Sequence, residues 1–510
     1  MEVITILIGG EFNLKSKISV LILIPLCFLT LAFGVNYGGN INVAIPTDVA
    51  ETLDPHKATG ALTFEILYNV YEALIEVSTD GELVPCLASD WNISEDGKEY
   101  TFSLKKNVYF HSGKKMDSND VKYSFERILN PNTGYPKASN YSEINFIEAI
   151  DEHTVKFHLN NAYKPFLALI SKIYVIPVDK SEEIGENPDG TGPFHMDEWA
   201  RDRYIKLSRF DNYHQEGLPY IDSAYFKVIP DINSRVLALK TGDIDVFPRM
   251  DPSFLDNISS SNQLTIIKAP MNLVQVMAIN NDNEILKNLK VRQAVNHAID
   301  REILIEFVSN GLGREISEHI PRSSAYYIDL SDKYSYDPDK AVKLLKEAGY
   351  PDGFEITIAL PQPYVFHQRT GEVIAQMLSE VGIKANLQIY EWGKWISDVY
   401  YARKYDMTII GHEGEADPYL LLERFRSDSS RNYMNVKIPE IDKLLSEYVT
   451  ETDYDSGKEI IHEISRVMVD NAVAAWTMEP EDIVAINKKI KNWMIFPVYV
   501  DSLKEVWIEE

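Results

Sequence analysis

The strongest constraint on the fold is a strand–helix–strand pattern in the second half of the chain. Apolar residues alternate from Phe354 to Leu360, recur at helical spacing over residues 373–381, and alternate again over residues 383–389. Alternation is typical of a strand, and a spacing of three to four residues is typical of a helix with one buried face. Two strands joined through a helix are usually parallel neighbours, so the pattern predicts a parallel sheet covered by helices.

Further elements indicate a mixed α/β protein. Alternating apolar residues predict strands at residues 41–45 and 100–104, and a short apolar run predicts another at residues 406–411. Helices are predicted from near Ser118 and from Asp337, whose side chain can cap a helix that has proline in its first turn. No low-complexity linker or internal repeat marks a domain boundary. At roughly 100–200 residues per domain, the length of 510 residues predicts two to four domains.

Charge and composition exclude some classes of partner. The chain has 50 basic and 77 acidic side chains and a net charge of −27, so a nucleic-acid backbone would be repelled and no nucleic-acid partner is expected. Hydrophobic residues make up 45% and charged residues 25%, which is ordinary for a globular protein. The bulk of the chain is therefore expected to fold.

The N-terminal region has the pattern of an export signal. Lys15 and Lys17 precede an uncharged, mostly apolar stretch at residues 18–33. This stretch is shorter than the about 20 residues of a spanning helix, so we interpret residues 1–34 as a cleaved signal peptide. An uncleaved anchor, or a lipid anchor at Cys27, are the alternatives. A processed chain would keep Cys86 alone, and one thiol cannot form an internal disulfide.

The sequence contains no catalytic motif that we recognise. It has no nucleophile elbow, phosphate loop or dinucleotide fingerprint, and His462-Glu463 lacks the second histidine of a zinc-protease helix. We therefore predict no catalytic residue, no metal ligand and no cofactor. A pair of acids in a cleft, as in a glycosidase, depends on a geometry that the sequence leaves open.

A series of short motifs resembles the large solute-binding proteins of peptide ABC importers, family 5, which bind dipeptides, oligopeptides, nickel or glutathione. In chain order the motifs are Leu53-Asp54-Pro55-His56-Lys57, Leu87-Ala88-Ser89-Asp90-Trp91, Tyr100-Thr101-Phe102-Ser103-Leu104-Lys105, Phe110-His111-Ser112-Gly113, Gly190-Thr191-Gly192-Pro193-Phe194, Leu218-Pro219-Tyr220-Ile221-Asp222, Gly242-Asp243-Ile244-Asp245 and Val291-Arg292-Gln293-Ala294-Val295. Their order and number carry the resemblance, because no single motif is decisive.

The resemblance implies a two-lobe fold of the periplasmic-binding-protein type II class, with a hinge and an additional subdomain. Lobe I would comprise residues 36–74, 188–282 and 478–510, the inserted subdomain residues 75–187, and lobe II residues 283–477. It also implies a monomeric, non-enzymatic, extracytoplasmic protein that delivers a peptide-like solute to the permease of an ABC importer, and that meets the membrane through the permease or an N-terminal anchor. The alternatives are an extracytoplasmic hydrolase with an interdomain cleft and a nickel-chelate binder.

The resemblance also implies candidate ligand contacts outside the acidic loop described next. Arg369 matches an arginine that can pair with the ligand carboxylate in dipeptide-binding relatives, although it could equally be a surface arginine. Thr59 and Gly60 match the edge of a first-lobe pocket. Trp392 lies in a family-like segment and could be either core or ligand wall.

The loop from Gly411 to Pro418 is the other candidate region. Peptide-binding relatives carry an aspartate for the ligand ammonium four residues before the proline, but this chain has Gly414 there, and His412 replaces a tryptophan. Glu413, Glu415 or Asp417 could supply the anion instead; alternatively, these acids form a solvated loop or cap the following helix. The histidine that nickel-binding relatives carry after the Asp-Pro pair is absent.

Overall fold

The fold is described from a computed structural model, which covers residues 35–49, 52–498 and 500–509. The predicted signal peptide therefore lies outside the described residues. Residues 36–510 form one compact unit. Among the described residues, we find no helix with both the length and the apolar character needed to cross a membrane.

The strands follow one another along the chain as β1 Asn40–Ile45, β2 Ile75–Val77, β3 Leu83–Pro85, β4 Ala88–Ile93, β5 Glu99–Leu104, β6 Ile144–Asp151, β7 Thr154–Leu159, β8 Phe194–Ala200, β9 Tyr204–Arg209, β10 Ser223–Val228, β11 Val246–Phe247, β12 Leu264–Pro270, β13 Leu273–Ile279, β14 Gly313–Glu315, β15 Phe354–Gln362, β16 Ile383–Glu391, β17 Met407–Glu413, β18 Ala474–Asn487, β19 Ile490–Lys491 and β20 Trp507–Ile508.

The α-helices are α1 Ala61–Leu67, α2 Ser118–Leu129, α3 Phe166–Ile170, α4 Ile232–Thr241, α5 Leu255–Ser259, α6 Leu289–His297, α7 Arg301–Ser309, α8 Pro338–Glu347, α9 Val365–Glu380, α10 Trp392–Lys394, α11 Pro418–Leu422, α12 Pro439–Thr450 and α13 Tyr454–Asp470. Helix α10 continues as a π-helix over Trp395–Tyr401, and short 3₁₀ turns occur at Ala138–Tyr141, Pro252–Phe254, Ser331–Tyr334 and Glu423–Phe425.

The long strand β18 joins the sheets of the two lobes. Its first half pairs with β13 and β14, next to β17, β15 and β16. Its second half pairs with β12 and β11, and the sheet continues through β1, β10, β9 and β8. The chain also crosses between β12 and β13, where the backbone amide of Met271 donates to the carbonyl of Pro480 over 2.9 Å. Two adjacent crossing segments are the structural basis of a hinge.

A separate four-stranded antiparallel sheet lies in the order β4–β5–β7–β6. Its inward residues Phe102 and Phe157 pack with Phe125 of α2 and Phe166 of α3 in one core. That core also includes Tyr419, Tyr448 and other residues of the β13–β18 half of the molecule, so this sheet packs against the second-lobe region.

The predicted elements agree with the structure, with one difference in strand direction. Strands β15 and β16 are parallel neighbours joined through α9, and the Asp337 side chain caps α8 by accepting from the Lys340 amide. The sheet is mixed rather than wholly parallel, because β13 runs antiparallel to both β17 and β18. Strands β13 and β18 enter this sheet from the other lobe through the two crossing segments. Local periodicity carries no information about how they pair.

Candidate functional site

A cavity of about 500 Å³ lies beside the crossing segments, and we call it the central cavity. Thr59 and Glu72 line it from the region around α1, Lys137 and Lys172 from the region of the four-stranded sheet, and Glu413 from the end of β17. Its volume falls within the roughly 300–1,000 Å³ that small-molecule sites occupy. The cavity is thus bounded by segments that are far apart in the sequence.

Aromatic side chains form much of the cavity wall. Tyr71 stacks on Tyr174 with ring centroids 6.0 Å apart, and Phe64 lies 6.5 Å from Tyr174 on the same side. Burial raises the pKa of Tyr68 and of Tyr71 well above the usual range, so both phenols stay protonated. Such a wall offers apolar faces together with hydroxyl groups, which suits a ligand that carries both apolar and polar groups.

Glu72 is a buried carboxylate at the cavity surface, and protein donors already satisfy it. His214 Nε2 lies 3.0 Å from both carboxylate oxygens, the hydroxyl of Tyr213 donates over 2.8 Å, and the hydroxyl of Thr191 donates over 2.9 Å. Burial by itself would raise the pKa of Glu72, but His214 and the hydroxyl donors hold it below the usual range. Glu72 therefore fixes the wall rather than offering a free charge.

Cys86 also lines the cavity, next to this network. Its thiol is buried and free, and Sγ lies 3.6 Å from a Glu72 oxygen. Burial, and then the charge of Glu72, raise the pKa of the Cys86 thiol well above its ordinary value. A protonated, enclosed thiol is a poor nucleophile.

The predicted first-lobe contact residues follow a turn that is anchored to α2. Arg127 donates to both oxygens of the Asp54 carboxylate, over 3.0 and 2.6 Å. Beyond this anchor, Thr59 is exposed and lines the cavity, whereas Gly60 is the residue just before α1. The ion pair thus sets the position of the cavity edge.

The acidic loop after β17 divides into residues that face the cavity and residues that do not. Glu413 and Glu415 line the cavity, and Glu415 forms an ion pair with Lys172. Asp417 is buried; it accepts hydrogen bonds from the Tyr419 amide over 2.9 Å and from the Tyr448 hydroxyl over 3.0 Å. Burial raises the pKa of Asp417 to about 6.

Gly414, at the position where peptide-binding relatives are expected to carry an aspartate, lies in close contact with Asn272. Its amide donates to the carbonyl of Asn272 over 2.7 Å, and a Cβ at this position would overlap the Asn272 side-chain amide. Asn272 lies in the β12–β13 crossing and adopts a φ of 52°. A larger residue at 414 would therefore fit only if the Asn272 side chain moved.

His412 is buried in a chain of hydrogen bonds rather than in the cavity wall. The Trp476 indole donates to His319 Nδ1 over 3.0 Å, His319 Nε2 lies 3.0 Å from His412 Nδ1, and His412 Nε2 lies 3.1 Å from the Tyr433 hydroxyl. Since an indole only donates, His319 accepts at Nδ1, carries its proton on Nε2, and donates that N–H to Nδ1 of His412. Burial lowers the pKa of both histidines, so both are neutral.

Arg369 and Trp392 lie away from the cavity lining. Arg369 is exposed on α9, and Trp392 stacks on Trp395 with ring centroids 5.2 Å apart. Neither residue belongs to the set that lines the cavity. Their contact with a ligand stays a prediction from the resemblance.

Sequence reasoning missed most of the cavity wall. Tyr68, Tyr71, Glu72 and Tyr174 line it but carry no motif that separates a cavity wall from an ordinary core. Among the described residues, no group of three or more histidine, cysteine, aspartate or glutamate side chains is arranged to hold a metal ion.

Comparison with known proteins gives a consistent result. The family model for bacterial extracellular solute-binding proteins, family 5, matches residues 82–433. The dipeptide-binding protein of Escherichia coli (strain K12) is 29% identical over 497 residues, covering 90% of this chain and 93% of that protein.

Two solved structures have the same fold. The ABC transporter substrate-binding protein CtaP of Listeria monocytogenes matches with a TM-score of 0.86 and 25% identity, over 93% of this chain and 100% of that one. The periplasmic binding protein DppA of Helicobacter pylori, in complex with the peptide STSA, matches with a TM-score of 0.79 and 26% identity, over 93% of this chain and 99% of that one.

Proposed function

The chain belongs to the bacterial extracellular solute-binding proteins of family 5, and from this membership we propose that it captures a short peptide in the central cavity for an ABC importer. The protein binds its ligand outside the cytoplasm and hands it, chemically unchanged, to the membrane permease. The observation that carries the proposal is the cavity itself, which lies at the two crossing strands and is lined from both sides of them.

Closure about the crossing segments explains how capture would work. A ligand that contacts both walls only in the closed state stabilises that state by its difference in affinity. We propose that the first crossing lies at residues 271–272 rather than near residue 282, because β13 already pairs with β17 of the second lobe. The second crossing lies at residues 479–480, within β18. The inserted subdomain at residues 75–187 supplies the third wall.

The predicted contacts divide into three groups under this proposal. Thr59, Glu413 and Glu415 line the cavity and are the candidates for direct ligand contact, with Gly60 shaping the adjacent edge. His412 and Asp417 support the loop from inside. Arg369 and Trp392 remain predicted contacts whose substitution is the way to test them.

Thermal denaturation of the purified chain with a peptide panel tests the function. The panel is Met-Leu, Ser-Thr-Ser-Ala and glutathione, with Ni²⁺ included to test the nickel-chelate alternative. A ligand that binds only the folded state stabilises it by RT ln(1 + [L]/Kd), about 2.7 kcal/mol at a hundredfold excess over Kd. We expect a saturable rise in melting temperature with at least one peptide, and recovery of the intact peptide by mass spectrometry. Cleaved peptide would favour a hydrolase, and a response to Ni²⁺ alone would favour a metal-chelate binder.

A further inference from the structure

The inserted subdomain at residues 75–187 touches both lobes, but it is attached to only one of them through the main chain. Both of its ends continue into segments of lobe I, and backbone hydrogen bonds reinforce that junction. The Val175 amide, for example, donates to the carbonyl of Glu72 over 2.9 Å. The subdomain therefore moves with lobe I, and its contacts with lobe II form as the hinge closes and break as it opens.

Lys164, between β7 and α3 of this subdomain, makes three contacts with lobe II. Its backbone amide donates to the carbonyl of Val449 over 2.9 Å, and its ammonium donates to the carbonyl of Asp453 over 2.9 Å. The ammonium also lies 5.3 Å from the centroid of the Tyr448 ring, which is within the range of cation–π attraction. It therefore occupies a notch between the end of α12 and the start of α13, which we call the latch notch.

Gly457, in the first turns of α13, provides the space for this ammonium. A Cβ at position 457 would lie 2.5 Å from Nζ of Lys164, which is closer than the two atoms can approach. The backbone of Gly457 is helical, so alanine could adopt its conformation and would favour the helix more strongly. Room for the ammonium, rather than the backbone conformation, is thus what glycine supplies here.

The latch notch lies outside the central cavity. Neither Lys164 nor its partners Tyr448, Val449 and Asp453 belong to the set that lines the cavity. Contacts within one lobe are the same in the open and closed states, so only contacts that cross between the lobes bias the equilibrium between them. The contacts of Lys164 cross in this way without lying in the cavity wall.

Resting on the proposed function, we propose that Lys164 is a positioning residue for closure, which latches the inserted subdomain to lobe II and strengthens the binding of every peptide by the same factor. The ligand stabilises the closed state from within the cavity, and the latch stabilises the same state from outside. The apparent dissociation constant depends on how readily the binding-competent state forms, so a weaker latch raises it whatever the ligand. The latch therefore sets the strength of binding and leaves the choice of peptide to the cavity.

The test combines two single variants with their double variant. Lys164→Ala removes the ammonium, Gly457→Ala fills the space that it occupies, and the third chain carries both changes. The control is Lys106→Ala, which changes an exposed lysine of the same subdomain outside the cavity lining. Calorimetry on the full chain gives the dissociation constants of Met-Leu and Ser-Thr-Ser-Ala, and stopped-flow measurements give their dissociation rates. Circular dichroism and thermal denaturation without peptide check that each variant is folded.

We expect Lys164→Ala to bind both peptides about fivefold more weakly and to release them faster, since a hydrogen bond from a partly exposed charged group is worth about 1 kcal/mol. Gly457→Ala should bind both about threefold more weakly at an unchanged or higher melting temperature, because alanine displaces the ammonium but favours the helix. The double variant should bind no more weakly than Lys164→Ala, since the added methyl group then meets no ammonium. Lys106→Ala should behave as the wild-type chain does.

The outcomes separate this inference from the function on which it rests. Wild-type protein that binds a peptide no more tightly than folded Lys164→Ala overturns the latch and leaves peptide binding intact. Losses that differ between the two peptides would show that Lys164 acts on the choice of ligand, which also overturns the latch. A double variant weakened by the full product of the two single losses overturns the role of Gly457 and with it the latch notch. Wild-type protein that binds no peptide overturns the proposed function and the inference together.

Discussion

At the scale of single residues, the site depends on a close contact between a loop and a hinge segment. Gly414 and Asn272 approach so closely that a side chain at 414 would overlap the side chain of Asn272. The sequence alone marked Gly414 as a departure from the family pattern, but only the structure gives a reason. The reason lies more than a hundred residues away along the chain, at a position that no local pattern connects with the loop.

Introducing the aspartate found in relatives is therefore predicted to damage this chain. Gly414→Asp should lower the free energy of unfolding by about 1–3 kcal/mol, because the new side chain overlaps Asn272. The double variant Gly414→Asp with Asn272→Gly should recover part of that loss, since glycine tolerates the φ of 52° at position 272. Urea denaturation measures both. Equal losses in the single and double variants would contradict the steric explanation.

Asp417 predicts a stability change with a defined pH dependence. Its carboxyl keeps a proton up to about pH 6 in the folded chain, against a usual pKa of 3.8, because it is buried. Folding therefore binds a proton between these values, so the contribution of this group to stability falls as pH rises through that window. The free energy of unfolding of Asp417→Asn, relative to that of the wild type, should therefore rise between pH 4 and pH 6 by about 3 kcal/mol in total.

Denaturation curves of this variant and the wild type across pH 3.5–8 provide the measurement, and Asp352→Asn, at an exposed position, is the control. Peptide affinity should remain unchanged in Asp417→Asn, because Asp417 supports the loop and does not line the cavity. A stability difference that is flat with pH would show that folding does not shift the pKa of this carboxyl.

At the scale of elements, the sequence pattern predicted those helices and strands that interactions between nearby residues determine. The strand–helix–strand unit of β15, α9 and β16, and the start of α8 at Asp337, follow from periodicity and capping within short windows. The antiparallel partners of β18 could not be predicted in this way, because β12, β13 and β14 come from a segment some 200 residues earlier in the chain. The resemblance to family 5, rather than a local pattern, indicated Thr59, Glu413 and Glu415, and no local pattern identified the tyrosines that complete the cavity wall.

The ion pair between Asp54 and Arg127 connects the turn before α1 to α2, and it predicts a specific pattern of stabilities. Arg127→Met should cost about 3 kcal/mol, because it leaves the buried Asp54 carboxylate with only the exposed ammonium of Lys57, 3.8 Å away, as a counter-charge. Adding Asp54→Asn should recover part of the loss, since asparagine carries no charge and can still accept from the His56 amide. Chemical denaturation of the two variants checks this, and a double variant less stable than the single one would contradict it.

At the scale of the whole molecule, the ion pair between Lys172 and Glu415 joins the inserted subdomain to the loop after β17. Their side chains are 37% and 22% exposed, so the pair contributes modestly to closure. Glu415→Gln should weaken peptide binding about threefold at low salt and less at high salt, because salt screens exposed charges. Calorimetry at two salt concentrations, with Glu82→Gln as the control, measures this. Unchanged affinity at low salt would show that this ion pair does not contribute to closure.

The central claim is that a peptide is held by closure about the two crossing segments. Small-angle X-ray scattering of the purified chain during titration with Ser-Thr-Ser-Ala tests it most directly. The account predicts a saturable decrease in the radius of gyration whose midpoint matches the calorimetric dissociation constant. A radius that stays constant while calorimetry shows the peptide bound at saturation would contradict it.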